Sequence, residues 1–237
     1  MFDLIAFDAD DTLWHNESLY TATQQKLEQL LAPYLDGVDV AARLYATETR
    51  NIPYFGYGIK SFTLSMIETA IALTDGRVAS ADIQQIIAFA KAMIDTPTQL
   101  LEGVKEVVAQ VAASHTLMLI TKGDLLDQQR KLERSGLADY FAHIEIVAEK
   151  TEETYRALLA HYKVDAARFL MVGNSLKSDV LPVVAIGGQA VHVPYHTTWQ
   201  HERVDPAVAQ QSHYFEVAHI SELPALVATL QNPKSKI

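Results

Sequence analysis

Two aspartates near the N-terminus, Asp8 and Asp10, are the side chains of this sequence best suited to nucleophilic and acid–base chemistry. They follow the apolar run 4–7, which is typical of a short buried strand. A carboxylate can attack phosphorus as a covalent nucleophile. A second carboxyl group can then exchange protons with the leaving group and with water. An isolated Asp-x-Asp pair is a weak signal, because acidic residues also end strands and begin helices.

Polar residues also follow three later apolar runs, at 117–120, 144–147 and 169–172. In an open parallel sheet, ligands collect beyond the carboxyl ends of the strands, so we expect these residues to meet the aspartate pair. Carboxylate and amide oxygens suit Mg²⁺, and cations and hydroxyls suit a transferring phosphoryl group. The residues are Thr121 and Lys122 after the second strand, Lys150 after the third, and Asn174 and Asp179 after the fourth.

The arrangement of apolar patterns predicts an α/β fold with a Rossmann-like parallel sheet and helices on both faces. After residue 96, strand-length apolar runs alternate with helical patterns, which include one at 99–114 and one that follows the fourth strand to about residue 186. A fifth strand is expected at 190–193, and a frayed tail at 232–237. Residues 18–95 break this alternation, with helical patterns at 39–50, 60–73 and 81–94 and an aromatic, glycine-containing loop at 51–58. We therefore expect a core domain of residues 1–17 and 96–237 and an all-helical domain of residues 18–95.

Composition limits the classes of partner. The 237 residues carry 19 Lys and Arg against 29 Asp and Glu, and no dense basic run predicts binding to a nucleic-acid polymer. An acidic chain repels anions, so a phosphate site requires local positive charge or a metal ion. The absence of cysteine excludes disulfides and a thiolate nucleophile. Neither a cationic leader nor an apolar run of membrane length is present, so we expect a cytoplasmic protein without membrane association.

These strand ends resemble the motifs of the haloacid dehalogenase-like hydrolases, and the resemblance spans the chain apart from details of the insert. It implies that residues 18–95 form the family's type 1 cap, which closes over the substrate. The matching residues are Asp8, Asp10 and Thr12 for motif one, Thr121 for motif two, Lys150 for motif three, and Gly173, Asn174 and Asp179 for part of motif four.

From the residues and the resemblance together, we expect a Mg²⁺-dependent phosphatase that hydrolyses a small phosphorylated metabolite through an aspartyl-phosphate. Asp8 is the expected nucleophile and a metal ligand, and Asp10 is the acid and base. The resemblance also implies that the backbone carbonyl of Asp10 binds the metal. Thr121 and Lys150 are also expected to be catalytic residues. The remaining expected roles are phosphate binding for Thr121, Lys122 and Lys150, and metal binding for Asn174 and Asp179. Asp179 has an equal alternative, which is to orient Lys150 or a backbone amide.

Three positions depart from the family pattern. Asp11 stands where many relatives have glycine, Lys122 where asparagine is frequent, and Asn174 in place of an acid. The sequence leaves other reactions open, namely a phosphomutase or a phosphonate hydrolase, for which Lys60 is the candidate cap lysine. Dehalogenation needs no second acid, so Asp10 argues against it. A catalytically impaired binding or regulatory protein is the alternative that Asn174 supports. The sequence does not indicate the oligomeric state.

Overall fold

The computed structural model describes residues 1–210 and 212–231, and it contains one sheet of six parallel strands in the order β3-β2-β1-β4-β5-β6. The five predicted strands are all present. The two-residue β6 was not predicted, because both its side chains are exposed and no apolar run marks it. The strands are β1 (Leu4–Phe7), β2 (Leu117–Lys122), β3 (His143–Val147), β4 (Phe169–Gly173), β5 (Gln189–His192) and β6 (Phe215–Glu216).

Helices precede and follow these strands, which confirms the predicted α/β class. Within the described residues, no helix is long and apolar enough to cross a membrane. A tail at 232–237, for which the sequence predicted fraying, lies outside the described residues. The helices are α1 (Glu17–Leu31), α2 (Val40–Phe55), α3 (Ile59–Leu73), α4 (Ser80–Asp95), α5 (Val104–Ala112), α6 (Leu125–Ser135), α7 (Glu152–Tyr162), α8 (Leu181–Ala185), α9 (Pro206–Gln210) and α10 (Leu223–Gln231).

Apolar side chains pack on both faces of the sheet. Successive side chains of each strand point to opposite sides, so each strand contributes to both layers. In β1, Ile5 and Phe7 pack with apolar residues of α5 and α10. Leu4 and Ala6 point the other way and pack with residues of α7, including Tyr155. The strands thus read as continuous apolar runs, as expected for a parallel sheet that is buried on both faces.

The chain divides into two compact units. The sheet unit contains residues 1–17, 98–122 and 132 onward, and the helical unit contains residues 18–97 and 123–131. The helical unit has an apolar core of its own, which includes Leu27, Leu44 and Met66. This division does not test the predicted domain boundaries. It also does not test whether the helical unit closes over a substrate, so both stay predictions.

Two local expectations were wrong, and a third is confirmed with a different local geometry. The predicted helix at 99–114 begins later, at Val104, because Leu101 N–H donates to the carbonyl of Leu13 and holds residues 99–101 extended beside the first strand's loop. The helix expected after β4 is present, and it begins as a π-helical segment, Leu176–Val180, that continues into α8. The predicted loop at 51–58 is helical up to Phe55 and ends at Gly56, whose φ is 67°.

Helix α2 continues through this segment although Pro53 lacks an N–H and usually disrupts a helix interior. The buried side chain of Asn51 donates to Ser65 Oγ at 3.1 Å and to Glu68 Oε2 at 2.9 Å, both on α3. These two bonds tie the last turns of α2 to a neighbouring helix. Hydrogen bonds to α3 therefore keep α2 helical although its sequence contains a proline that favours a helix end.

We expect the variant Asn51→Ala to lower the free energy of unfolding by about 1–3 kcal/mol, because two hydrogen bonds of a buried amide are lost and one of its acceptors, Ser65, stays buried. Denaturant unfolding followed by circular dichroism measures this. The control is Thr49→Ala, since the exposed Thr49 hydroxyl bonds to the carbonyl of Tyr45 in the same helix. Equal stability of the two variants would contradict the anchoring role of Asn51.

Candidate active site

Asp8 occupies the carboxyl end of β1, in the middle of the sheet. Its N–H donates to the carbonyl of Val172 at 2.9 Å, which extends the pairing of β1 with β4. The side chain is buried, and both carboxylate oxygens are held. Thr12 Oγ1 donates to Asp8 Oδ2 at 2.8 Å, and Lys150 Nζ donates to Asp8 Oδ1 at 2.5 Å. A carboxylate fixed in this way is oriented for a single direction of attack.

Lys150 lies between two carboxylates. Its Nζ is 2.5 Å from Asp8 Oδ1 and 2.7 Å from Asp179 Oδ1, and its side chain is 1% exposed. Burial alone would lower the pKa of Lys150, but Asp179 and Asp8 together hold that pKa well above its usual value. Burial raises the pKa of Asp8 to about 7, although the charge of Lys150 acts in the opposite direction. The three side chains thus form one buried charge cluster.

Asp179 uses both of its carboxylate oxygens inside the protein. Oδ1 accepts from Lys150, and Oδ2 accepts from the backbone N–H of Ser175 at 3.0 Å. Gly173 makes this approach sterically feasible, because a Cβ there would lie 2.3 Å from Asp179 Oδ2. Of the two roles that the sequence left equal, these contacts favour orientation of Lys150 and of a backbone amide.

Asn174 faces the oxygens that follow β1. The terminal amide atom directed at this group lies 3.3 Å from Asp8 Oδ2, 3.3 Å from the carbonyl oxygen of Asp10 and 3.2 Å from Thr12 Oγ1. With nitrogen in that place, the amide donates to these oxygens. After a 180° rotation, it presents its own oxygen beside those of Asp8 and Asp10. One carboxylate, one carbonyl and one amide oxygen are hard ligands of the kind Mg²⁺ prefers.

This donor set fits Mg²⁺ better than a transition metal. In the described parts of the chain, no group of three or more His, Asp or Glu side chains is placed to hold a metal ion. The carboxylate of Asp10 points elsewhere, since its Oδ1 accepts from Trp14 Nε1 at 2.7 Å. A metal ion held here would therefore contact the backbone carbonyl of Asp10, while the Asp10 side chain belongs to the surrounding hydrogen-bond network.

Thr121 and Lys122 end β2, the neighbour of β1. The buried Thr121 hydroxyl donates to the carbonyl of Lys122 at 3.4 Å. Lys122 Nζ donates to Ser178 Oγ at 2.9 Å and to Glu202 Oε1 at 2.6 Å. Phosphate binding by Thr121 and Lys122 stays a prediction. Sequence reasoning missed Glu202, because a single acid in an irregular segment carries no motif.

Comparison with known proteins gives the family of the chain. A family model described as "haloacid dehalogenase-like hydrolase" matches residues 2–187. A solved haloacid dehalogenase-like family hydrolase from Xanthomonas campestris has 43% sequence identity and a TM-score of 0.87, and the match covers 99% of this chain and 95% of that one.

The chain belongs to the haloacid dehalogenase-like hydrolases.

Named relatives within this family are more distant. Pyrimidine 5'-nucleotidase YjjG of Escherichia coli is 26% identical over 220 residues, which are 86% of this chain and 92% of that protein. Human N-acylneuraminate-9-phosphatase is 26% identical over 137 residues, 55% of this chain and 53% of that protein, so the chain matches about half of its length. L-2-haloacid dehalogenase from Xanthobacter autotrophicus shares the fold, with 17% identity, a TM-score of 0.62, and coverage of 96% and 99% of the two chains.

Asp11 stands at a motif-one position where many relatives have glycine. Its φ is 62°, a left-handed conformation that glycine adopts freely and aspartate tolerates better than most residues. Its buried carboxylate accepts from the N–H groups of Asn16 at 2.9 Å and Glu17 at 3.1 Å, at the start of α1. Asp11 thus replaces a flexible residue with one that also caps the following helix.

We expect Asp11→Asn to keep this cap and the left-handed backbone, and Asp11→Ala to lose both, at a cost of about 1–3 kcal/mol in the free energy of unfolding. Thermal or denaturant unfolding measures the difference between the two variants. Equal loss in both would show that the capping acceptor contributes nothing.

The stability of the wild type and that of the Asp11→Asn variant should also depend differently on pH. Burial raises the pKa of Asp11 to about 7, above its unfolded value near 3.8, although the N–H of Asn16 opposes this rise. The folded state therefore binds the proton more tightly, and the contribution of Asp11 to stability falls as pH rises between these two values. The Asp11→Asn variant lacks this decline, so its stability relative to the wild type should increase from pH 4 to pH 7.

Proposed function

We propose that this hydrolase is a Mg²⁺-dependent phosphatase that cleaves a small phosphate monoester through an aspartyl-phosphate on Asp8. The observation that carries the proposal is the oxygen group around Asp8 Oδ2, formed with the carbonyl of Asp10 and the amide of Asn174. The names of two relatives, a 5'-nucleotidase and a 9-phosphatase, support hydrolysis of phosphate esters. The second acid, Asp10, favours this chemistry over that of the dehalogenases that share the fold.

The residues proposed to hold the metal are Asp8, through a carboxylate oxygen, Asp10, through its carbonyl, and Asn174, through its amide oxygen. Mg²⁺ characteristically binds few protein ligands and completes its shell with water and substrate phosphate. Bound there, Mg²⁺ would supply positive charge that offsets the charges of Asp8 and the phosphate. Asp179, whose oxygens bond to Lys150 and Ser175, is assigned to positioning.

The proposed reaction has two displacements at phosphorus. An oxygen of Asp8 attacks phosphorus, the ester P–O bond breaks, and the leaving alkoxide takes a proton from the carboxyl group of Asp10. Asp10 then accepts a proton from water, whose oxygen attacks phosphorus and breaks the bond to Asp8. Inorganic phosphate and the two original carboxyl groups result. Lys150, 2.5 Å from Asp8 Oδ1, places its charge next to the attacking group.

Trp14 is a proposed partner of Asp10 in these proton transfers. Its indole N–H holds Asp10 Oδ1 at 2.7 Å, and its ring is 1% exposed. A backbone bridge of Trp14 to Leu100 holds the main chain that carries the ring. This support orients the Asp10 carboxyl group, which is the function expected of a partner that does not itself react.

The test is hydrolysis of an aryl phosphate and of a panel that includes sugar phosphates and pyrimidine nucleotides, with and without Mg²⁺. We expect Asp8→Asn to lower kcat by about a thousandfold or more, because the covalent route is lost. Asp10→Asn should lower kcat by about 10²–10⁴-fold, through loss of proton transfer.

The control for this test is Asp36→Asn, which changes an exposed aspartate of the helical unit. We expect it to retain full activity. Equal turnover by wild type and Asp8→Asn would rule out Asp8 as the nucleophile. Release of halide from 2-haloacids, without phosphate release from any ester, would favour dehalogenation. No turnover of either class would favour a binding or regulatory protein.

We expect Asn174→Asp to bind Mg²⁺ about fivefold more tightly or better, because even in water a unit charge 4 Å from a cation contributes about 1 kcal/mol. Asn174→Ala should bind Mg²⁺ more weakly than wild type, because an oxygen ligand is removed. The shift of the thermal unfolding midpoint with Mg²⁺ concentration measures both effects without substrate. Unchanged Mg²⁺ affinity in both variants would show that residue 174 is not a ligand.

A further inference from the structure

Glu202 forms a second charged cluster in the sheet unit, away from any family motif. It ends a short 3₁₀-helix, Gln200–Glu202, in the connection from β5 to β6. Its Oε1 accepts from Lys122 Nζ at 2.6 Å, and its Oε2 accepts from Ser178 Oγ at 2.6 Å and from Ser175 Oγ. We call these four residues, Lys122, Ser175, Ser178 and Glu202, the Glu202 cluster.

The cluster is shielded from water and its charges are balanced. The side chains of Lys122 and Glu202 are 14% and 13% exposed. Burial alone would raise the pKa of Glu202, but Lys122 and the hydroxyls of Ser175 and Ser178 lower it to about 2. Glu202 is therefore ionised at neutral pH, and an ion pair of this burial is costly to break on one side.

Each donor in the cluster adjoins a residue of the candidate active site. The turn after β4 shows the coupling most directly, because Ser175 Oγ also accepts the N–H of Ser178 at 3.0 Å and the carbonyl of Ser175 accepts the N–H of Asp179 at 2.9 Å. Movement of one hydroxyl would thus move the backbone that carries Asp179. In sequence, Lys122 follows Thr121, Ser175 follows Asn174, and Ser178 precedes Asp179.

We propose that Glu202 is a positioning residue of the active site, whose carboxylate binds Lys122, Ser175 and Ser178 and thereby fixes the strand ends that carry Thr121, Asn174 and Asp179. The effect of Glu202 on kcat rests on the proposed function. Its role in holding the strand ends in place does not. It also changes the role of Lys122. With Glu202 as its counter-ion, Lys122 joins the end of β2 to the turn after β4.

The competing role for Lys122 is direct phosphate binding, with Glu202 released when substrate arrives. The two roles differ in what neutralising Glu202 does. If Lys122 binds phosphate, Glu202→Gln frees a cation for the substrate and lowers KM. If Glu202 positions the strand ends, Glu202→Gln leaves the nearly buried Lys122 with a more distant and more exposed counter-ion, Glu149 at 4.0 Å, and disturbs the turn. In that case kcat and Mg²⁺ affinity fall while KM changes little.

The experiment compares wild type, Glu202→Gln, Lys122→Met and the double variant Lys122→Met/Glu202→Gln. With an aryl phosphate, we expect Glu202→Gln to lower kcat and to raise the Mg²⁺ concentration for half-maximal activity, each by about 10- to 100-fold, the usual effect of losing a partner behind a site residue. KM should stay within about twofold of wild type, in contrast to loss of a direct substrate contact, which raises KM.

Unfolding provides a readout that does not depend on activity. We expect each single variant to lower the thermal unfolding midpoint. The double variant should be no less stable than the worse single variant, because removing both charges leaves neither one unpaired. The Mg²⁺-induced rise of the unfolding midpoint should shrink in Glu202→Gln. Glu152→Gln is the control, since Glu152 pairs with Arg156 on an exposed helical face. It should leave kcat, KM, the Mg²⁺ dependence of activity and the unfolding midpoint, with and without Mg²⁺, unchanged.

Three results would overturn the proposal: a lower KM in Glu202→Gln, wild-type kcat and Mg²⁺ response in Glu202→Gln, or additive effects of the two charge removals on the unfolding midpoint. A wild type without phosphatase activity would refute the proposed function alone. In that case, non-additive unfolding and a reduced Mg²⁺ response in Glu202→Gln would still support the positioning role, and their absence would reject it.

Discussion

The bond of Lys150 to two buried carboxylates is the interaction on which the arrangement of the site depends. A single buried ammonium or carboxylate is unstable in a protein interior, and removal of one member of such a group costs about 3–5 kcal/mol because the others stay uncompensated. Asp8, Lys150 and Asp179 come from three different connections, after β1, β3 and β4. Because each of these charges needs an opposite charge beside it, their ion pairs hold the carboxyl ends of β1, β3 and β4 next to one another. Gly173 belongs to the same constraint, because any larger residue would occupy the volume of the Asp179 carboxylate.

The charge of this group explains why an amide at position 174 is compatible with a metal site. When Asp8 and Asp179 are both ionised, two carboxylates and one ammonium leave a net charge of about −1, before any metal or phosphate is bound. An additional carboxylate at position 174 would lie about as close to Asp8 Oδ2 as the Asn174 amide atom does, at 3.3 Å. Like charges at that distance repel strongly in a buried setting. Asn174 avoids this repulsion and still offers an oxygen to a cation, so the metal-free state gains stability while the attraction for Mg²⁺ is reduced.

The sequence predicted the fold and the proximity of Asp8 and Lys150, because both follow from local patterns. Apolar runs end in polar residues, and a parallel sheet places such ends at one edge, so Asp8 and Lys150 could be expected to meet. What could not be predicted depends on contacts between distant segments. Asn51 keeps α2 helical past Pro53 through bonds to α3, and Glu202 reaches Lys122 from an irregular connection. No periodicity or motif marks such residues, since their partners lie 14 and 80 positions away.

Lys150 and Lys122 belong to two different charged clusters and have different carboxylate partners. Lys150 contacts Asp8 directly, and its charge is shared with Asp179. Lys122 is neutralised by Glu202, so in the conformation described here it contributes little positive potential to a phosphate at Asp8. A phosphate monoester carries nearly two negative charges at neutral pH, and Lys150 alone cannot balance both these charges and those of the two aspartates. A bound cation such as the proposed Mg²⁺ would supply further positive charge, which is a physical reason to expect the proposed activity to depend on it.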